Sequence, residues 1–220
     1  MTKEDLEILY EDNHIIVVYK PSNILSQSDI TEDKDMLTII KEYIKEKYNK
    51  PGNVYLGLVH RLDRPVQGIM VYAKTSKAAA RLSEQIRKNE LSKHYLAVVN
   101  GIIPEKKGEF VDYLVKDNNG NTSITDKEHG KEAILKYEVL DSKNNYSLVR
   151  IKLITGRHHQ IRIQFASRGY PLVGDNRYGK KEKLDICLCS YQLSFYHPTT
   201  KELLKFEKLP KKSQVWNIFL

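Results

Sequence analysis

The chain has 220 residues, 40% of them hydrophobic and 29% charged, with a formal net charge of +8 and a pI of about 9.2. That is enough apolar material for a core without disulfide staples, and the basic balance favours polyanionic partners, since Lys and Arg near phosphates release condensed counterions. The opening MTKEDLEILYEDN has no apolar stretch of signal-peptide length, and no run approaches the ~20 apolar residues of a membrane helix, so a cytoplasmic protein with no membrane partner is expected. The 14 tyrosines outnumber 5 phenylalanines and 1 tryptophan. Tyrosine among basic residues suits stacking on unpaired bases, although half-buried strand positions use it equally well.

In chain order, His14 to Tyr19 (HIIVVY) is a continuous apolar run that predicts a strand buried on both faces, stopped at Lys20-Pro21. Leu37, Ile40 and Ile44 recur at helical spacing, and Asp35 is a candidate N-cap, which predicts an amphipathic helix to Tyr48. A short apolar stretch, Val54 to Val59, precedes the polar loop His60 to Pro65. Gly68 to Thr75 then reads as a strand. Ser76 to Lys88 reads as a helix capped by Ser76, with Ala79, Leu82 and Ile86 inward. Strands are predicted at His94 to Asn100, Phe110 to Val115 and Ile134 to Leu140, with a charged, turn-rich hairpin between the last two. Tyr146 to Ile154 is a further strand. Thr155-Gly156 breaks it, and His158 to Ser167 reads as a helix with Ile161 and Phe165 on one face. Strands follow near Leu184 to Phe195 and close to the end of the chain. Cys187 and Cys189 are too close for a disulfide framework, and alternation puts both on one strand face as buried apolar thiols. Strands in series with few helices between them predict an α+β fold, a mainly antiparallel mixed sheet with flanking helices, as a single domain over residues 1–220.

Three segments could carry chemistry. In the loop His60-Arg61-Leu62-Asp63-Arg64-Pro65, two arginines favour the ionised Asp63, making it a poor general acid and a good nucleophile or base; a structural ion pair at a tight turn is the alternative. In Gly156-Arg157-His158-His159-Gln160-Ile161-Arg162, the entry to a helix and two arginines could receive phosphate, or Arg162 could reach a carboxylate through two parallel hydrogen bonds. The adjacent histidines, set on a helix, would point about 100° apart and could not share a metal. Tyr95, in KHYLAVVNG, would ordinarily be a core aromatic.

Taken together and in this order, H-R-L-D, K-x-Y-L-A-V-V-x-G, G-R-x-H-Q-I-R and P-L-V-G-D-x-x-Y-G resemble the RluA-type family of RNA pseudouridine synthases. The likeness runs from about Leu6 to about Phe206, and ILYEDNHIIVVYKPS and LSFYHPTT match as well. The resemblance implies the pseudouridine synthase fold and an isomerase acting on ribosomal or transfer RNA, without metal, nucleotide or redox cofactor. It places the catalytic aspartate at Asp63, the tyrosine that stacks on the flipped uracil at Tyr95, and the basic partner of the aspartate at Arg162. Leu188 falls on an apolar pocket residue and Arg61 on an arginine that assists flipping. Arg157 and, in the Lys-Pro loop, Lys20 are further candidates for the substrate site. The chain leaves no room for the N-terminal RNA-binding domain that many relatives carry, so its own basic surface would grip the RNA, as a monomer by default.

The sequence departs from the family pattern at Val66-Gln67-Gly68 (for Thr-Ser-Gly), at His158 (for Thr), at Gln164 (for His) and at Leu188-Cys189-Ser190 (for Leu-His-Ala). At Val66-Gln67-Gly68 altered packing and not lost activity is expected, and the departures together bear on the substrate more than on the reaction. A non-catalytic RNA-binding protein on the same fold is the alternative function, but binding alone does not need an Asp among arginines. A metal-dependent nuclease would need clustered carboxylates, and the acidic residues are scattered.

Overall fold

Alternating apolar runs and polar breaks give eleven strands and three α-helices among the described residues of the computed structural model, which are 2–29, 33–118, 120–211 and 215–220. In chain order these are β1 (Glu7–Glu11), β2 (Ile15–Lys20), α1 (Met36–Lys47), β3 (Gly57–Leu58), β4 (Gln67–Ala73), α2 (Ser76–Arg87), β5 (Ser92–Asn100) and β6 (Lys107–Lys116). They continue as β7 (Thr122–Thr125), β8 (Lys131–Lys143), β9 (Tyr146–Leu153), α3 (Gln160–Ala166), β10 (Leu188–Tyr196) and β11 (Leu203–Glu207). The chain divides into two compact units, Met1–Leu91 with Gln192–Lys208, and Ser92–Tyr191 with Leu209–Leu220.

In the first unit β2 lies between β1 and β4, both antiparallel to it, and β3 pairs with the end of β4. Every residue of β2 and β4 is buried, which is why both read as unbroken apolar runs rather than alternating ones. Helix α1 is capped by Asp35, whose carboxylate accepts from Thr38 N at 3.1 Å, as expected. Helix α2 starts at Ser76 as predicted, but its cap lies one residue earlier than expected, because Thr75 supplies the oxygen to Ala78 N. Its buried face is accordingly Ala78, Leu82 and Gln85 rather than Ala79, Leu82 and Ile86. Strands β10 and β11 form a hairpin; Phe206 of β11 packs on Phe195 and Tyr10. The turn after β10 is tied back by His197, whose Nε2 bonds Asp12 at 2.8 Å. Glu11 gathers Lys47, Lys74, Tyr43 and Tyr48 within 2.9 Å.

In the second unit the strand order is β5-β9-β8-β6-β7, antiparallel throughout. The predicted exposed hairpin is β6–β7, with Thr122 buried at its base. Directly opposed residues share a face, so Phe110, Leu135 and Leu153 line up across β6, β8 and β9. Helix α3 covers this face: the Phe165 ring meets Phe110 and Tyr137 edge-on at 5.1 and 5.9 Å. Cys187 and Cys189 are buried and in no disulfide, and burial pushes the Cys187 thiol up to about 12. Two buried thiols are what the C-x-C spacing predicted.

Candidate active site

Asp63 sits in a loop with no regular structure of its own, so side chains must hold it. His60 Nε2 accepts the Val71 N–H of β4 at 3.1 Å, which puts the ring proton of a neutral His60 on Nδ1. The Ser26 hydroxyl donates to Leu62 O at 2.7 Å and accepts from Leu62 N at 3.2 Å. Val66 N closes a turn on Asp63 O at 3.0 Å. Lys20 Nζ donates to Arg64 O at 3.0 Å, and also to Pro21 O and Ile24 O. The residues on both sides of Asp63 are thus pinned, while Arg61 faces solvent and the outward Arg64 pairs with Asp33 at 2.8 Å.

Lys20 was expected at the substrate. It is instead wholly buried, and its three donors are spent on three carbonyls, so its work is to anchor the loop. Burial pushes its pKa down to about 7, opposed by the Asp63 carboxylate and reinforced by Arg64. The charge of Lys20 therefore bears on Asp63 without the ammonium reaching solvent.

In the second unit Tyr95 is buried on β5, on the face that carries α3, since it opposes Ile151 and Ile151 opposes Tyr137. Arg162 projects from α3 and donates from Nε and Nη2 to the two oxygens of Asp175, at 2.8 and 2.7 Å. Both side chains are almost fully buried. Burial opposes ionisation of Asp175, but Arg162 and the amides of Arg177 and Tyr178 hold its carboxyl below the usual range. The guanidinium lies 5.3 Å from the centre of the Tyr178 ring. Asp175 follows Gly174, whose φ is +73°; a side chain there would meet Asp185 O at 2.3 Å, so only glycine fits.

The histidine pair differs from expectation. Helix α3 begins only at Gln160, and His159 adopts a left-handed φ of 51° before it. The two rings therefore stack at 3.7 Å instead of diverging. His158 Nδ1 bonds Thr122 Oγ1 and His159 Nδ1 bonds Tyr178 OH, each at 2.8 Å. Arg157 is exposed, with Nε on Glu132 O at 2.8 Å, and Leu188 is buried at the start of β10. The departures from the family pattern have partners: Gln67 accepts from Tyr19 OH at 2.7 Å, and Gln164 donates to Asp112 and to Ala133 O. Sequence reasoning missed two residues, Ser26 and Asp175. Ser26 carries no local signal, whereas the Gly-Asp step after P-L-V marked Asp175. Among the described residues no group of three or more His, Cys, Asp or Glu is placed to hold a metal.

Residues 14–167 match the family model described as RNA pseudouridylate synthase. The dual-specificity RNA pseudouridine synthase RluA of Pasteurella multocida is 35% identical over 212 residues, covering 93% of each chain. An uncharacterized RNA pseudouridine synthase of Bacillus subtilis, YhcT, is 35% identical over 208 residues, or 92% of this chain and 68% of that one. In fold, the human RNA pseudouridylate synthase domain containing 4 superposes with a TM-score of 0.78 at 21% identity, covering 93% of this chain and 89% of that one. The chain therefore belongs to the RluA-type family of RNA pseudouridine synthases, which are isomerases.

Proposed function

We propose that Asp63 is the carboxylate with which this synthase isomerises chosen uridines of ribosomal or transfer RNA. In the reaction the N1–C1′ bond breaks, the uracil turns, and a C5–C1′ bond forms; the proton lost at C5 is balanced by one gained at N1. Reactant and product have the same composition, so no oxidant or cofactor enters the balance. The observation that carries the reading is the pinning of the loop at His60, Leu62, Arg64 and Val66 around Asp63. Catalytic groups need such support to keep a productive geometry. Tyr95 provides the ring that packs on the uracil, and Arg162, oriented by Asp175, is the basic partner of the aspartate. Leu188 lines the uracil's apolar surroundings. Exposed Arg61 assists extrusion of the nucleotide, which a carboxylate cannot reach within a stacked helix, and exposed Arg157 meets backbone phosphate. A relative in Buchnera aphidicola, 34% identical, is named for the ribosomal large subunit, which supports ribosomal RNA as a substrate class. The net charge of +8 suits either RNA, and the cytoplasm is where both would be met.

Pseudouridine mapping of total RNA, comparing the parent strain with one carrying Asp63→Asn, tests this. Sites present in the parent and missing in the variant are expected, with RNA affinity retained. An unchanged map with folded variant protein would favour the binding-only alternative.

A further inference from the structure

Lys93 opens β5 two residues before Tyr95. The unshifted pairing of β5 with β9, Lys93 opposite Leu153 and Tyr95 opposite Ile151, puts both side chains on one face, about 7 Å apart along the strand. This is the face that α3 covers. Lys93 lies at its end, against the turn from β9 into α3: a Cβ added at Gly156 would sit 3.6 Å from Lys93 Nζ. The lysine is half-buried there. No hydrogen bond or ion pair to it occurs among the described residues, and burial alone, without any neighbouring anion, pushes its pKa below that of an ordinary lysine. A second donor stands on the same turn. Gln160 is 2% exposed; its Oε1 accepts from Thr155 Oγ1 and Arg157 N at 2.9 and 3.0 Å, while its buried Nε2 has no acceptor. Drawing an ammonium partly out of water and burying a carboxamide N–H, both without acceptors, costs stability. It is a sensible arrangement only where an anion from outside the chain completes it.

The geometry points to Lys93 as a phosphate-binding residue, its ammonium taking an oxygen of a phosphodiester that flanks the nucleotide packed on Tyr95. The Gln160 carboxamide is the second donor on the same turn. This inference rests on the reading of Tyr95 as the residue that packs on the target uracil. Lys93 is here a substrate-binding group, not one that moves protons or breaks bonds.

The test uses the full chain and an RNA oligonucleotide copied from a uridine site mapped as above. A second oligonucleotide carries a methylphosphonate in place of one phosphate beside that uridine, on either side in turn. Wild type, Lys93→Met and Lys93→Arg are compared for half-saturating RNA concentration at several KCl concentrations, rate at saturation, and thermal midpoint. Lys93→Met is expected to raise the half-saturating concentration about tenfold at low salt and to flatten the salt dependence by about 0.7 in log–log slope, the value for one phosphate of a single strand. Its saturating rate stays near wild type, and its thermal midpoint rises because a half-buried unpaired charge is gone. Lys93→Arg restores affinity. One methylphosphonate reproduces the loss in wild type and adds nothing in Lys93→Met. Wild-type affinity and slope in Lys93→Met, or a lowered midpoint or failure to fold in that variant, overturns the assignment. Absence of any pseudouridine formed by the wild type fails the functional reading itself, whereas an active wild type with an indifferent Lys93→Met fails this inference alone.

Discussion

Asp175→Asn removes one charge from the buried pair that orients Arg162 and changes almost nothing in shape. The asparagine oxygen, taking the place of Oδ1, can still accept from Arg162 Nη2 and from the amides of Arg177 and Tyr178, as Oδ1 does in the wild type. The oxygen that met Nε at 2.8 Å becomes an NH2 group, so donor faces donor and the guanidinium keeps its charge in the interior. Removing one partner of a buried pair costs about 3–5 kcal/mol. The lower end applies here, about 3 kcal/mol, because the three hydrogen bonds to Oδ1 survive. For a chain of this size that lowers the thermal midpoint by about 6–12 °C. Arg162 then loses its fixed direction, and displacement of a positioning group by about 1 Å can cost about a hundredfold in rate. Circular dichroism melts give the first quantity, and single-turnover pseudouridine formation on a mapped RNA site gives the second. A midpoint within about 2 °C of wild type would refute the energetic argument. A large drop in midpoint with an unchanged rate below the melt would reduce Asp175 to a structural residue.

Glu11 tests electrostatics remote from the site. Burial pushes its pKa up, but Lys47, Lys74, Tyr43 and Tyr48 override that and hold it at about 2, against 4.5 for the free group. The folded value lies below the unfolded one, so the stabilisation is full above about pH 5 and fades as pH falls toward 2. The difference, 4.5 − 2 = 2.5, bounds it at about 3 kcal/mol. Glu11→Gln should cost about 2 kcal/mol in urea unfolding at pH 7, and the deficit should shrink by more than half by pH 3; a constant deficit would show that charge is not its source. Lys20 has the opposite sense. Its folded pKa of about 7 lies below the ordinary 10.5, so the unfolded chain takes up the proton first and stability declines as pH falls from about 10.5 to about 7, then levels. Lys20→Met should weaken that slope and, by releasing Arg64 O, lower pseudouridine formation more than it lowers stability. An undiminished slope, or full activity, would contradict the anchoring role.

The sequence by itself determined the family and most of the elements, though not strand β1. An apolar run such as HIIVVY reads as a strand buried on both faces, and the motifs H-R-L-D, K-x-Y-L-A-V-V-x-G, G-R-x-H-Q-I-R and P-L-V-G-D-x-x-Y-G carried the resemblance together, where no one of them would alone. The cap of α1 at Asp35 was legible because capping is local, involving a side chain and an amide three residues on. Helix α3 was misjudged at its start because His159 takes a left-handed backbone that no local propensity demands; Thr122 and Tyr178, 37 residues before and 19 residues after it, are the groups its histidine pair binds. The work of Lys20 was hidden for the same reason: the Lys-Pro loop suggested a place near the substrate, and only the convergence of Pro21, Ile24 and Arg64 makes it an internal anchor. The same holds for Ser26 under Leu62 and Asp175 under Arg162, contacts that span 36 and 13 residues. Which polar groups are buried, and therefore which must find partners, is a property of the packed chain, because desolvation is set by everything that surrounds a group and not by its neighbours in sequence.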